Sequence, residues 1–208
     1  QKYITVKKAI PEKDNNIAIV VNLASEHYKS TSLLIKKGYN VLVEKPLTLN
    51  FLHAKKIYEN SKISNVYVAC SNIFLFSSSI NKFSKLIKKK KVKNIDFIWH
   101  DKYNDTRYGE KIRKDKKISL CFDVLPHIFS MLNYFNPTNN KYNFKIIKKQ
   151  FINNNFAYIK LKFNGLECSC DIQKDAKKRL RVIVAKNKNI NLKLDFSDEN
   201  SIFLKKNN

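Results

Sequence analysis

The sequence predicts two classes of structure in succession: an α/β unit built on a partial parallel sheet, then an α+β domain with a mainly antiparallel open sheet. Three observations predict this. Short apolar runs at 17–23, 41–43 and 65–70 alternate with helix-length amphipathic segments over short connections, the pattern of strand, helix and parallel strand. After Cys70 the pattern changes, and strand-like runs near 143–151, 155–163, 166–172, 179–185, 190–195 and 201–204 follow one another. Between two of these runs stands Asn164-Gly165, the dipeptide of a tight hairpin. The expected boundary lies near residue 71, dividing the chain into units 1–71 and 72–208.

Taken in order, residues 3–6 form a short β-rich piece that runs through Pro11 and Asp14 into a turn. The run IAIVVNL at 17–23 is continuously apolar, as a strand covered on both faces must be. Ser25 or Glu26 can open the next helix, in which Leu33, Leu34 and Ile35 precede a cationic last turn and Gly38 as its stop. Strand 41–43 follows at once and ends on Glu44, Lys45 and Pro46. Thr48 or Asn50 caps a second helix to about Ser61, with Leu52, Ala54, Ile57 and Tyr58 on one side, and strand 65–70 follows. Ser77 to Ser79 lead into a helix with Ile80, Phe83, Leu86 and Ile87 at spacings of three and four, and 94–100 reads as a strand. Residues 102–117 are charged and loop-like. Segment 118–135 is helix-length and contains Asp123, Pro126 and His127.

Composition excludes some functions and weakens others. The 208 residues are 43% hydrophobic and 12% aromatic, enough for a real core. No apolar run reaches the roughly 18 residues of a membrane span, and no secretory leader is visible. The chain starts with Gln, which favours a cut or partial chain as the expectation. A net charge of +24 points to nucleic acid, but arginine occurs only at 107, 113, 179 and 181. Specific phosphate and base recognition leans on arginine forks, so nucleic acid is an unfavoured partner. Cys70, Cys121, Cys168 and Cys170 lack the spacing of a zinc or redox centre, and reduced thiols in the cytoplasm are the expectation.

Two places can carry chemistry. Lys45 stands just beyond a buried strand, on the side of an open sheet where ligands bind, and Pro46 restricts its backbone. The plainer alternative is a surface loop with a Glu44-Lys45 pair. Asp123 and His127 are four apart and share a helical face, so they can form an acid-base pair. Here the alternative is a helix that starts at Pro126, with Asp123 as its cap and His127 packed. No third ligand stands near enough to make a metal site. His27 follows its strand on the crevice side, whereas His53 and His100 read as packing residues.

These positions together resemble the Gfo/Idh/MocA family of oxidoreductases. IAIVVNLASEHY is similar to the family's strand, polar turn and His; GYNVLVEKPLTLN matches its Gly-x-x-Val-x-x-Glu-Lys-Pro motif; DVLPH fits its Asp-x-x-x-His. Order and spacing agree from about Ile17 to Leu194. The resemblance implies a Rossmann-like nucleotide unit and hydride transfer between NAD or NADP and a hydroxyl carbon of a sugar, nucleotide-sugar or polyol. It also implies that Lys45 binds substrate and positions the nicotinamide, that His127 is the proton acceptor, and that Asp123 orients the substrate. Asn22, His27 and Glu44 match positions lining the cofactor crevice, and Asn72 is expected in the same cleft. Self-association through the C-terminal sheet, a cis Lys45-Pro46 bond and convergence of Lys45 and His127 on one cleft are further expectations.

One departure is large. No Gly-x-Gly-x-x-Gly occurs, and the glycines at 38, 109 and 165 stand far apart, so the usual phosphate cradle is missing from these residues. Truncation is the expected reason, and this chain alone is expected to be inactive. The alternatives are a non-catalytic relative that keeps the fold for binding or assembly, and, least favoured, a basic nucleic-acid-binding protein.

Overall fold

The protein is described by a computed structural model that covers residues 17–103, 106–107, 110–111, 118–137, 142–197 and 201–206. The β-rich piece expected at 3–6, and the turn through Pro11 and Asp14, lie outside the described residues. The chain divides into two compact units, 1–72 and 73–208.

In the first unit, β1 (Ile17–Val20), β2 (Asn40–Glu44) and β3 (Val68–Ser71) form a parallel sheet in that order, with α1 (His27–Lys36) and α2 (Phe51–Ile63) as the connections. Alternate residues of the strands face the helices: Val20, Val41 and Val43 pack with Leu34, Ile35, Tyr39 and Ile57. The expectation of strands buried on both faces is met only in part. Ile17 is 70% exposed, Ile19 65% and Leu42 37%, so the other face presents apolar side chains that no described residue covers.

Gly38 ends α1 at φ 79°, where a side chain would strain the backbone. Its N–H donates to the Ile35 carbonyl at 2.9 Å and that of Tyr39 to the Leu34 carbonyl at 3.1 Å, which satisfies two carbonyls the helix would leave open. A single 3₁₀ turn, Ala24–Glu26, precedes α1, so the α-helix begins at His27, slightly later than expected. Of the two candidate caps for α2, Asn50 is the one used: its Oδ1 accepts from Leu52 N at 2.8 Å and His53 N at 3.4 Å. Thr48 instead donates to the Asn50 carbonyl at 2.7 Å.

The second unit opens with a 3₁₀ turn, Ile73–Phe76, and α3 (Ser78–Lys89), then β4 (Asn94–Lys102). Within 102–117, read as a loop, β5 (Thr106–Arg107) and β6 (Glu110–Lys111) form a two-residue antiparallel ladder. Next come α4 (Leu120–Phe135), β7 (Phe144–Ile152), β8 (Phe156–Phe163), β9 (Leu166–Ala176), β10 (Leu180–Lys186), β11 (Ile190–Asp195) and β12 (Ser201–Lys206). Seven strands make one sheet in the order β12-β11-β10-β4-β9-β8-β7. All its pairings are antiparallel except β4 with β9, which is parallel and places the early strand between two late ones.

Asn164 and Gly165 form the β8-β9 hairpin at φ 50° and 83°, both positive as a type I′ turn requires. Side chains alternate along the strands. Ile95, Phe97, Cys168, Cys170, Ile183 and Leu192 join the core with Phe83, Ile128 and Leu132 of the helices. The opposite face is polar: Lys186 pairs with Asp96 at 2.6 Å, Ser169 donates to Asp96 at 2.6 Å, and His100 meets Asp171 at 2.9 Å.

Candidate functional site

Each unit holds part of the residues the sequence singles out. In the first, the register aligns Val20 with Val43 and Val43 with Cys70, and the residues two positions further on lie just beyond the carboxyl ends of the three strands. Those residues are Asn22, Lys45 and Asn72. A parallel sheet therefore brings an amide, an ammonium and a second amide to the edge where ligands of open α/β sheets bind.

Local contacts fix this edge. The Lys45-Pro46 bond is cis, as expected. Glu44 accepts from the Lys45 backbone N–H at 3.1 Å, so its carboxylate braces the turn that carries the lysine. Asn22 donates to Ser30 Oγ at 2.9 Å. His27, read as a crevice residue, is 2% exposed, with Nδ1 at 2.8 Å from the Pro46 carbonyl oxygen and Nε2 at 3.0 Å from that of Asn22. Its ring ties the end of β1 to the turn after β2, so it holds the edge in shape from beneath. Near Glu44, the Cys70 thiol is pushed up, first by burial and then by that carboxylate, and stays protonated at neutral pH.

In the second unit Asp123 and His127 lie on α4. Ser119 is the cap, accepting from Phe122 N at 3.3 Å, and Pro126 sits inside the helix. The alternative in which Asp123 caps a helix starting at Pro126 is thereby overturned, because an earlier serine supplies the acceptor. The start of α4 is pinned further by Leu120 N–H, which donates to Asn154 Oδ1 at 2.9 Å.

His127 is 6% exposed. Its ring stacks on Trp99, with centroids 5.6 Å apart and planes 19° from parallel, and Phe74 meets it edge-on at 4.8 Å. Phe196 packs against both Phe74 and Trp99, at 5.5 and 5.9 Å. Over Trp99, at 3.8 Å from its ring, lies the Arg181 guanidinium, which is ion-paired with Asp101. This aromatic and charged surround was not read from the sequence. A signal for it existed: Arg181 is one of four arginines in a chain that otherwise uses lysine, and Trp99 is its single tryptophan.

The remaining candidates are accounted for locally. His53 stacks on Tyr28 at 3.9 Å, and His100 pairs with Asp171. Burial, helped by Asp96 and Glu167, drives the Cys168 thiol up to about 12, and burial raises Cys170 as well, so both are inert core thiols. Among the described residues no group of three or more His, Cys, Asp or Glu is placed to hold a metal.

For a nicotinamide cofactor, the residues present fit in part. The carboxyl edge offers Asn22, Lys45 and Asn72, whereas Gly38 ends a helix and Gly165 turns a hairpin, so neither opens a phosphate-binding helix.

Comparison with known proteins points the same way. Residues 2–71 match the model of the GFO_IDH_MocA oxidoreductase family, described as having an NAD-binding Rossmann fold. No protein of curated function matches the sequence. Among solved structures, an NAD-binding oxidoreductase from Klebsiella pneumoniae superposes with a TM-score of 0.75 at 14% identity, over 98% of this chain and 60% of that one. A 3-ketoreductase mutant from Actinomadura kijaniata, solved with TDP-benzene and NADP, gives 0.74 at 9% identity, over 94% of this chain and 62% of that one. The UDP-N-acetylglucosamine 3-dehydrogenase of Acidithiobacillus ferrooxidans gives 0.69 at 12% identity, over 99% of this chain and 65% of that one. The chain spans between 52% and 65% of the length of such structures.

Proposed function

We propose that this chain, whose residues 2–71 match the model of the NAD-binding Gfo/Idh/MocA oxidoreductases, serves an NAD- or NADP-dependent dehydrogenase acting on a hydroxyl carbon of a sugar, nucleotide-sugar or polyol. The observation that carries the reading is the placement of Asn22, Lys45 and Asn72 just beyond the carboxyl ends of the three parallel strands. Two structures with this fold are described as a sugar-nucleotide dehydrogenase and a ketoreductase, which supports testing that substrate class first.

The chemistry asks for two groups. As the C–O bond becomes a carbonyl, the carbon loses a hydride and the oxygen loses its proton. His127 takes the hydroxyl proton, Lys45 stabilises negative charge developing on that oxygen, and Asp123 orients the substrate. A bound nicotinamide supplies the hydride acceptor, or the donor in the reverse direction. In the same reading the polar outer face of the seven-stranded sheet pairs with a second copy.

The test is turnover, by the full-length protein, of a panel of sugars, nucleotide-sugars and polyols, followed by nicotinamide absorbance. Lys45→Ala and His127→Ala are each expected to lower kcat/KM by about 100-fold or more, and the double variant by less than the product. Unchanged turnover in both single variants would overturn the assignment. A second reading, a binding module without catalysis, is favoured by the missing glycine loop. Calorimetry on the full-length protein separates them: substrate binding with no NAD or NADP binding supports the second.

A further inference from the structure

We infer that the buried Arg181–Asp101 pair is a positioning device for His127 that works through Trp99. The inference rests on the proposed role of His127 for its catalytic meaning, but its structural content is independent. Arg181 is 4% exposed and lies directly across the ladder from Trp99, on the same face of the sheet. Its side chain is ion-paired with Asp101 while its guanidinium covers the indole at 3.8 Å. Among the described residues, the other rings that meet the indole are Phe74 and Phe196, at 5.3 and 5.9 Å, and His127 itself.

Arg181 is held at the backbone too. Its N–H donates to Ser197 Oγ at 2.9 Å, and its carbonyl accepts from Phe196 N at 2.9 Å. One short stretch thus fixes the cation and one of the aromatic walls together.

Energetics argue that the pair is more than filling. Two charges withdrawn from water at the end of an apolar core gain little stability over apolar side chains of similar volume. What a planar cation adds is geometry: a guanidinium can stack on an aromatic face, as a lysine's compact ammonium cannot, and its carbon stands 3.8 Å from the indole centroid. The indole plane then sets the imidazole plane, since the two rings are within 19° of parallel. Phe74, 87° to the imidazole, blocks rotation about its other axis. A base whose ring plane is fixed meets a substrate hydroxyl along one direction, which is the orientation that proton transfer needs.

The test uses two variants that avoid stranding a buried charge. Arg181→Lys keeps the ion pair and loses the planar group; Arg181→Met combined with Asp101→Leu removes both charges at once. The readout is the histidine ring spectrum of the full chain by carbon-proton NMR, with the His127 signals identified by their loss in His127→Gln. In the unaltered chain the His127 ring protons are expected as one set, displaced upfield by the indole. Both variants should lose that displacement or show two sets, with His27, His53 and His100 unmoved and the urea midpoint near that of the parent. His127 signals that stay in place in both variants would overturn the inference.

Turnover by the full-length protein then separates this inference from the function it rests on. If His127→Gln leaves turnover intact, the assignment of the base fails while the NMR result still decides the positioning. If His127→Gln abolishes turnover, the variants should lower kcat by about tenfold with KM little changed; unchanged kcat overturns the positioning role alone.

Discussion

At the scale of single residues, Lys45 was legible in the sequence because its setting is local: a strand end, a charge pair and a proline within six positions. His127 was legible as a residue but its surroundings were not. Trp99 and Arg181 come from strands far apart in the chain, which the pairing of β4 with β10 brings together, and Phe196, just past the end of β11, is tied to Arg181 through its backbone. For His27 the sequence showed the position after a strand but not the two carbonyl oxygens, of Asn22 and Pro46, that its ring meets.

A solvent-side carboxylate gives a direct test at this scale. Burial alone would raise the Asp195 carboxyl, but hydrogen bonds from the Ser197 side chain, Lys193 and the Ser197 backbone outweigh it and hold it below the ordinary range. Its stabilisation is therefore complete above the unfolded value of about 3.9 and is lost as pH falls through the lower folded value. Asp195→Asn should cost about 1 kcal/mol at pH 7, and the gap should close in strong acid. Urea midpoints at the two pH values check this.

Secondary-structure elements were legible where periodicity is strong and less so at their ends. Strands β7 to β12 fall within a few residues of the runs seen in the sequence, because alternation marks them and Asn164-Gly165 fixes one hairpin. The start of α4 was ambiguous because Pro126 imitates a helix opening, while the acceptor in use, Ser119, is an inconspicuous serine after an isoleucine. For α2 the two candidate caps could not be separated by type alone. Asn50→Ala is expected to destabilise the chain by about 1 kcal/mol and Asn50→Gly by only a few tenths, since glycine tolerates the extended cap backbone. No loss in either variant, in chemical denaturation, would show that the cap bond contributes nothing.

At the scale of the whole molecule, the two classes of sheet were legible, yet the position of β4 was not, because nothing local tells an early strand to wait for late neighbours. Self-association through the outer face of that sheet is a quantitative expectation. Sedimentation at micromolar concentration should give more than the 24.4 kDa of one chain, with association weakening in salt because Asp96, Asp171 and Lys186 line the face. Monomer alone at every concentration would count against it. The central placement of β4 also matters during synthesis. Its partners begin at Leu166 and Leu180, so about 64 residues must be added after Lys102 before the first arrives, roughly 3–13 s at ribosomal rates. For that interval Ile95, Phe97 and Trp99 form an apolar segment with no strand beside it, guarded by Asp96, Asp101 and Lys102 alone. Nascent chains arrested before Leu166 should thus bind chaperone at 94–102 and release it once β9 and β10 emerge. Crosslinking that finds the same chaperone contact on chains of every length would refute this order of events.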